Sequence, residues 1–411
     1  MNRCLLFLFL SFYLLSFSFA QVQTLDYFIQ AGLANSPLIK DLNNQVRMNS
    51  IDSLLIKANR QPQIKFNGLL MYAPIIHDWG YSEAITNGGN LISTVNVSQN
   101  IFNKKNFEAQ YSKLGLQNQS VTNSIKISEK DLKKDITDQY LNACETSIEI
   151  NFSRSLLKSA NDEEALLKQM MEKGIYRQTD YLSFLVELQS LEMDLINLQT
   201  QYRTIFSNLC LFCGIRDTGS VEVSLPELHF TVPQPHESPF FYRFRIDSLK
   251  LLNEKTIIDR SYKPAINWMS DAGLVNNDPT LIYKNFGLSI GMSLTLPIYD
   301  GNQRQLNYRK IKMSEETRKG YEDFFRQQYD RQLLQLNDEL KRTYEIVPKL
   351  KQQYTLAESI VRQDKELLNM GGISVIDFVI AVKNLITIKQ NLNQNEIKVL
   401  RIINEINYWE E

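Results

Sequence analysis

The side chains best suited to catalysis or metal binding are few and scattered in this 411-residue chain. His77, His229 and His236 stand far apart, and no two of them have the spacing of metal ligands. Cys210 and Cys213 form a Cys-x-x-Cys pair without a second Cys or His pair nearby, so we interpret them as small packing residues near a helix end. The sequence contains no phosphate-binding loop, catalytic carboxylate pair or nucleophile elbow. It therefore predicts neither an enzyme nor a bound cofactor.

Two similar segments offer a different chemistry, KGIYRQTDYL at 173–182 and MGGISVIDFV at 370–379. Each has a glycine, which tolerates the positive φ of a tight turn, and an aspartate six positions later. Asp180 and Asp377 allow two interpretations. A carboxylate in the first turn of a helix caps that helix, and Ser374-x-x-Asp377 has the form of a capping box. The second interpretation, that they line an opening and attract cations, depends on a family resemblance.

These segments are part of an internal repeat. Asp377 stands 197 positions after Asp180, and the same offset relates SQNIFN at 98–103 to TLPIYD at 295–300. Between the copies lies a proline-rich stretch, which is typical of a connector. We therefore predict a first repeat over 21–213, a connector over 214–239 and a second repeat over 240–411.

The same order of elements is predicted in both repeats. An opening helix leads to two short segments in which apolar and polar residues alternate, as in strands with one apolar face. Each strand has about ten residues, enough to cross a bilayer at a tilt. A long polar helix and a returning helix follow. The predicted helices are 24–58, 103–173 and 180–213 in the first repeat, with 240–260 and 302–370 before the returning helix of the second.

The long helices carry a coiled-coil pattern. Leu333, Leu340 and Val347 begin a strict seven-residue spacing, and the returning helices carry two such seams each. Two seams on one helix allow a neighbour on each side, as a curved wall of helices requires. The long helix spans about 105 Å at 1.5 Å per residue. Pro348 is predicted to kink the second one near its middle.

The first twenty residues, with Arg3, an apolar run and small residues at Ser18 and Ala20, predict a secretory signal that is removed. After it no stretch of 18 or more apolar residues remains, so any membrane-crossing part must consist of β-strands. Lys and Arg number 45 against 46 Asp and Glu, which gives no basic footprint for nucleic acid.

The chain resembles the TolC-like outer-membrane efflux proteins (outer membrane factors). The resemblance rests on LDYFIQAGLANSPLIK near the mature N-terminus, the LPIYDGNQRQLNYRKI strand-to-helix junction and the Gly-to-Asp turns at 174–180 and 371–377. It implies a mainly α fold with a β-barrel portion. Three protomers would form one twelve-stranded barrel in the outer membrane of a Gram-negative bacterium, continued by a long periplasmic α-helical barrel. It also implies a periplasmic adaptor protein and an inner-membrane pump of the RND or ABC type as partners.

The resemblance assigns roles to the helix turns. The adaptor-docking tips are Gly174, Ile175, Thr179, Gly371 and Gly372, and the periplasmic entrance is formed by Asp180, Asp377 and Arg177. Some family members carry an arginine two residues after the second-repeat glycine, where this chain has Ile373. A closed entrance would therefore be held by packing or by Arg177.

The sequence alone allows a second class of protein and several kinds of cargo. A periplasmic coiled-coil scaffold without a pore is the competing class, and it explains the heptads but not the alternating strands. Within the channel class the sequence does not distinguish among drugs, metals and polypeptides as cargo.

Overall fold

The computed structural model describes residues 24–82, 86, 88–101, 104–216, 222–230, 238–277 and 284–409. The predicted signal (1–20), part of the connector and His236 lie outside these residues. The elements are α1 Leu25–Asn35, α2 Pro37–Asn59, β1 Gln63–Ala73, β2 Gly88–Asn100, α3 Lys104–Glu172, α4 Gln178–Phe212, α5 Pro239–Ser261, β3 Ala265–Asn276, β4 Phe286–Thr295, α6 Gln303–Asn369 and α7 Val375–Tyr408. Apart from the opening helix of the first half, their type and order match the prediction.

The opening helix is broken where the sequence predicted it to be continuous. α1 ends at Asn35 and α2 begins at Pro37, with Ser36 between them at ψ 118°. A residue before proline is pushed out of the helical region by the proline ring, so the chain must extend at Ser36. Pro37 itself fits the first position of a helix, where no backbone N–H is needed.

Proline has a different effect in the second long helix. Pro348 lies inside α6, and the helix is continuous on both sides of it. The missing N–H leaves the carbonyl of Tyr344 without its usual partner four residues on. Neighbouring hydrogen bonds hold the remaining turns, so the proline does not divide the helix.

The strands form one antiparallel sheet in the order β1-β2-β3-β4. The register places Phe66 opposite Val95, Val95 opposite Ala272 and Ala272 opposite Leu288. Residues opposite each other in an antiparallel sheet point to the same side. The predicted apolar set therefore shares one face, and the intervening residues, mostly polar, share the other.

The chain divides into two compact units, each built from both halves of the sequence. One unit contains residues 24–40, 127–238 and 327–409 as described. Its main core joins α1, α3 and α4, where the rings of Phe28, Tyr140 and Phe206 are in contact. Cys144, Cys210 and Cys213 are buried in this core and form no disulfide among the described residues. Burial raises the pKa of Cys144 and of Cys213 to about 12, which makes both unreactive.

A polar interface joins α3 to α7 in the same unit. Arg401 lies 2.6 Å from Glu145, and Lys134 lies 2.9 Å from Glu405. The amide of Asn404 donates to Asp138 over 2.9 Å. Because these partners come from the long helix of the first half and the last helix of the second, they tie the two halves of the chain together.

The other unit contains residues 41–126 and 239–326, and includes the whole sheet. α5 packs against α6 through Phe244, whose ring lies 5.7 Å from that of Phe325, and it contacts α3 through Asn253. Asn253 donates to the carbonyl of Ala109 over 3.0 Å. None of the described helices carries an apolar stretch long enough to span a membrane.

Candidate functional site

Two helix turns have the same backbone pattern. The first tip is the turn between α3 and α4 (residues 173–177), and the second tip is the turn between α6 and α7 (residues 370–374). Gly174 has a φ of 74° and Gly371 a φ of 73°, a region that favours glycine. In each, the glycine N–H and the following N–H donate back to carbonyls of the last helical turn. These bonds are Gly174 to Met171 (2.9 Å), Ile175 to Met170 (2.9 Å), Gly371 to Leu368 (3.1 Å) and Gly372 to Leu367 (2.8 Å). The pattern is a Schellman motif, which ends a helix in a fixed direction.

The two tips contact each other directly. A Cβ built on Gly371 would lie 2.8 Å from Cγ2 of Ile175, so the isoleucine packs on bare backbone. The hydroxyl of Tyr176 lies 2.8 Å from the carbonyl oxygen of Leu368 and 3.0 Å from that of Ile373, and donates to them. Burial, with a smaller effect from Asp180, raises the pKa of Tyr176, so the donor stays protonated. The first tip is thereby fixed to the second.

Both predicted entrance carboxylates form hydrogen bonds at the starts of the helices that follow the tips, although at α7 the cap itself is the hydroxyl of Ser374. The backbone N–H of Arg177 donates to Oδ2 of Asp180 over 3.2 Å. At the second tip the hydroxyl of Ser374 donates to Oδ2 of Asp377 over 2.7 Å and accepts from the backbone N–H of Asp377 over 3.2 Å. One carboxylate oxygen of each aspartate is used in these bonds, which leaves the other for water or ions. Capping and a role at an entrance are therefore compatible.

The other predicted tip residues lie at the surface. Gly174, Thr179 and the guanidinium-bearing Arg177 are exposed, and Ile175 is 51% exposed although it touches the second tip. The side chain of Arg177 takes part in no ion pair within the described part of the chain. Arg177 thus has no ion-pair partner among the described residues with which it could hold an entrance shut.

Below the tips lies a small core that joins all four helices. Phe184 of α4 stacks on Phe378 of α7 with ring centroids 6.5 Å apart. Two ion pairs link the halves of the chain at this level, Lys365 to the buried Glu163 at 2.6 Å and Lys383 to Glu187 at 2.9 Å. An ion pair with one buried partner resists separation because the buried charge would be left uncompensated.

Several exposed apolar side chains lie beside the second tip. Met370 is 77% exposed, and Ile376 and Ile380 are 61% and 53% exposed. Ile380 also lines a groove of about 530 Å³ between α6 and α7, together with Leu356, Ile360 and Asp377. Exposed apolar side chains grouped around a groove are typical of a protein-binding surface.

Among the described residues no group of three or more His, Cys, Asp or Glu is placed to hold a metal ion.

Sequence reasoning did not find Tyr176, Glu163 or Lys365. Tyr176 corresponds to Ile373 at the repeat offset, so one copy has a hydroxyl where the other has an aliphatic chain. That difference was a usable signal. The Glu163–Lys365 pair had none, because its partners are far apart in the sequence and neither belongs to a motif.

Long paired helices with Schellman tips and a four-stranded sheet with one apolar face define a helical protein that carries a partial β-structure. The sequence matches no protein-family model and no curated protein. Solved structures do match. CusC, studied for folding and transmembrane channel formation, is 11% identical with a TM-score of 0.77, covering 94% of this chain and 92% of that one. The Vibrio cholerae outer membrane protein VceC is 13% identical with a TM-score of 0.74, covering 94% and 95%.

A third match extends the pattern. The outer membrane channel MtrE of Neisseria gonorrhoeae, in its open state, is 10% identical with a TM-score of 0.74, covering 94% of this chain and 88% of that one. The chain therefore has the fold of these outer-membrane channels, and the predicted resemblance is confirmed at the level of the fold. At such low identity the likeness concerns the fold alone.

Proposed function

We propose that this chain is one protomer of a trimeric outer-membrane channel that serves as the exit duct of a tripartite efflux or type I secretion system. In this proposal an inner-membrane pump of the RND or ABC type and a periplasmic adaptor deliver substrate to the helical tips. Substrate then passes passively to the exterior. The observation that carries the proposal is the four-stranded sheet, whose one face is apolar and exposed. The outer edges of β1 and β4 are unpaired among the described residues.

The apolar face fits a lipid environment. Leu70 on β1 is 83% exposed, and Ile290 and Met292 on β4 are 76% and 73% exposed. Water penalises such a surface, whereas lipid accommodates it. The opposite face carries Asn, Ser and Thr at many positions, as suits a water-filled interior.

The sheet edges support more than one copy. β1 and β4 each pair with one neighbour among the described strands. An unpaired edge cannot persist in lipid, because each unsatisfied backbone group costs several kcal/mol there. If β1 of one copy pairs with β4 of the next, three copies close a ring of twelve strands.

The helices attached to these edges lead to the same arrangement. α2 precedes β1 and α6 follows β4, so both helices flank the open edges. Leu54 and Leu55 on α2 are 62% and 54% exposed, and Met313 and Phe324 on α6 are 66% and 58% exposed. Apolar side chains at matching edges indicate burial against a neighbouring copy. A coiled-coil scaffold without a pore, the competing class, has no use for the lipid-compatible sheet.

The test is reconstitution of the purified protein in planar lipid bilayers without nucleotide. The proposal expects extraction only with detergent, migration as a trimer and stepwise conductance. A protein that stays soluble without detergent as a monomer and gives no conductance would be the scaffold instead. ATP hydrolysis by the purified chain would contradict passive conduction. Export by cells that carry the neighbouring pump and adaptor genes tests the tripartite role separately.

A further inference from the structure

The four described strands carry only two charged side chains, Lys65 on β1 and Asp271 on β3. Every other position on these strands is neutral. Lys65 follows Ile64 and precedes Phe66, both on the apolar face, so Lys65 points to the polar face. Asp271 likewise lies between Ser270 and Ala272. Both charges therefore lie on the side that the proposed channel turns toward its interior.

The two charges also lie in one cross-strand row. Lys65 is opposite Asn96, Asn96 is opposite Asp271, and Asp271 is opposite Ser289. The hydroxyl of Ser289 donates to the carboxylate of Asp271. Two interstrand spacings separate Lys65 from Asp271, about 10 Å. Neither residue forms an ion pair with the other or with any further described residue. The electrostatic field of each side chain is therefore not cancelled by an ion-pair partner.

The two residues lie at different distances from the first residues of their strands. β1 and β3 run in the same direction, each entered from a helix. Lys65 is the third residue of β1, whereas Asp271 is the seventh of β3. Lysine is therefore nearer the helical end of its strand, and aspartate is nearer the middle of its own.

We propose that Lys65 and Asp271 determine the ion selectivity of the strand-lined part of the pore. This inference rests on the proposed trimeric channel. Three-fold symmetry turns each residue into a ring, one of three ammonium groups and one of three carboxylates. Rings of charged side chains select ions by sign. An ion or charged substrate that enters from the helices meets the cationic ring first and the anionic ring second.

A structural role makes a different prediction. A lysine on an edge strand discourages pairing with a wrong partner, and Lys65 is on such a strand. In that case removing the charge would alter trimer assembly or stability and would leave the passage of ions unaffected.

The experiment measures reversal potentials of reconstituted trimers under a KCl gradient for wild type, Lys65→Gln, Asp271→Asn and the double variant. We expect Lys65→Gln to shift selectivity toward cations and Asp271→Asn toward anions, with larger shifts at low salt because screening weakens. The double variant should lie between the two single variants. Asn96→Ser, in the same row without a charge change, is the matched control and should behave as wild type.

The outcomes separate the inference from the proposed function. Absence of conductance in wild type would contradict the channel itself. Conductance with unchanged reversal potentials in both single variants would overturn the role of the row while leaving the channel intact. Unchanged reversal potentials with lowered thermal stability of the trimer would assign Lys65 to assembly, which also overturns the inference.

Discussion

The side chain of Ile175 lies directly on the backbone of Gly371, so that the first tip fills the space that a side chain on the second tip would need. The reverse is not true. A Cβ on Gly174 would meet no atom within 4 Å. Two glycines with nearly identical φ angles thus have different surroundings, and substitution of each by alanine tests this difference.

The first prediction uses this difference. Gly174→Ala forces alanine into the left-handed region and should cost about 1–2 kcal/mol of unfolding free energy. Gly371→Ala carries the same backbone strain and also displaces Ile175, so it should cost more. Chemical unfolding followed by circular dichroism measures both. Equal losses in the two variants would show that the contact with Ile175 contributes nothing.

Tyr176 supports the second prediction. Tyr176→Phe removes the donor to the carbonyls of Leu368 and Ile373 and should reduce stability by about 0.5–1.5 kcal/mol. The control is Tyr181→Phe, whose hydroxyl donates to Glu164 within the first half of the chain. Only the Tyr176 variant should loosen the second tip, as seen in faster hydrogen exchange over 370–374. Identical exchange in both variants argues against a bridge between the tips.

The third prediction concerns the proposed docking of an adaptor. Gly174→Arg and Ile175→Asp place bulk or charge on the exposed first tip and should abolish export while trimers still assemble. Ile175→Val keeps the apolar contact and should retain export. Export assays in cells and trimer gels on the same variants give both readouts. Normal export by the arginine and aspartate variants would exclude this tip as the docking site.

The fourth prediction separates the two roles of the tip carboxylates. Asp180→Asn with Asp377→Asn weakens both caps, with an expected loss of about 0.5–1 kcal/mol per helix start. If the second oxygens also face an entrance, cation preference in bilayer recordings should fall, most at low salt. Lower stability with unchanged selectivity would leave these residues as helix caps only.

The fifth prediction is a pH dependence at Glu149. Burial, and then the nearby Glu145, raises the pKa of Glu149 above its ordinary value of 4.5. The folded state therefore favours the protonated form. Its stabilising effect is complete below the ordinary pKa and is lost as pH rises through the raised one. Glu149→Gln should thus raise the melting temperature at pH 7 and have little effect at pH 4. An equal change at both pH values would mean that charge is not the cause.

The sequence was most informative where a local pattern determines the structure. Alternation fixed the strand faces around Phe66 and Val95, and glycine chemistry located the turns at Gly174 and Gly371. Pro37 also determines the break at Ser36. The helical pattern on both sides of Ser36 nevertheless led to the prediction of one continuous helix. In contrast, Arg401 and Glu145 meet only because α7 packs on α3, and such pairing depends on tertiary contacts that no window of sequence contains. The partners of Tyr176 could not be read from the sequence either, since they are carbonyl groups of Leu368 and Ile373. The only sequence signal was the tyrosine itself, at the position that corresponds to Ile373 in the other repeat.

The two open sheet edges have a thermodynamic consequence. If β1 must meet β4 of another copy before either edge can enter lipid, the amount of closed trimer at equilibrium depends on the third power of the free protomer concentration. Mass action then governs the yield of the membrane form, as for any obligate oligomer. Halving expression should lower the closed form more than proportionally, and the surplus chains would present Leu70 and Ile290 to water. Supply of protomers, as much as the strength of any contact, would then set how much of the protein reaches its final state.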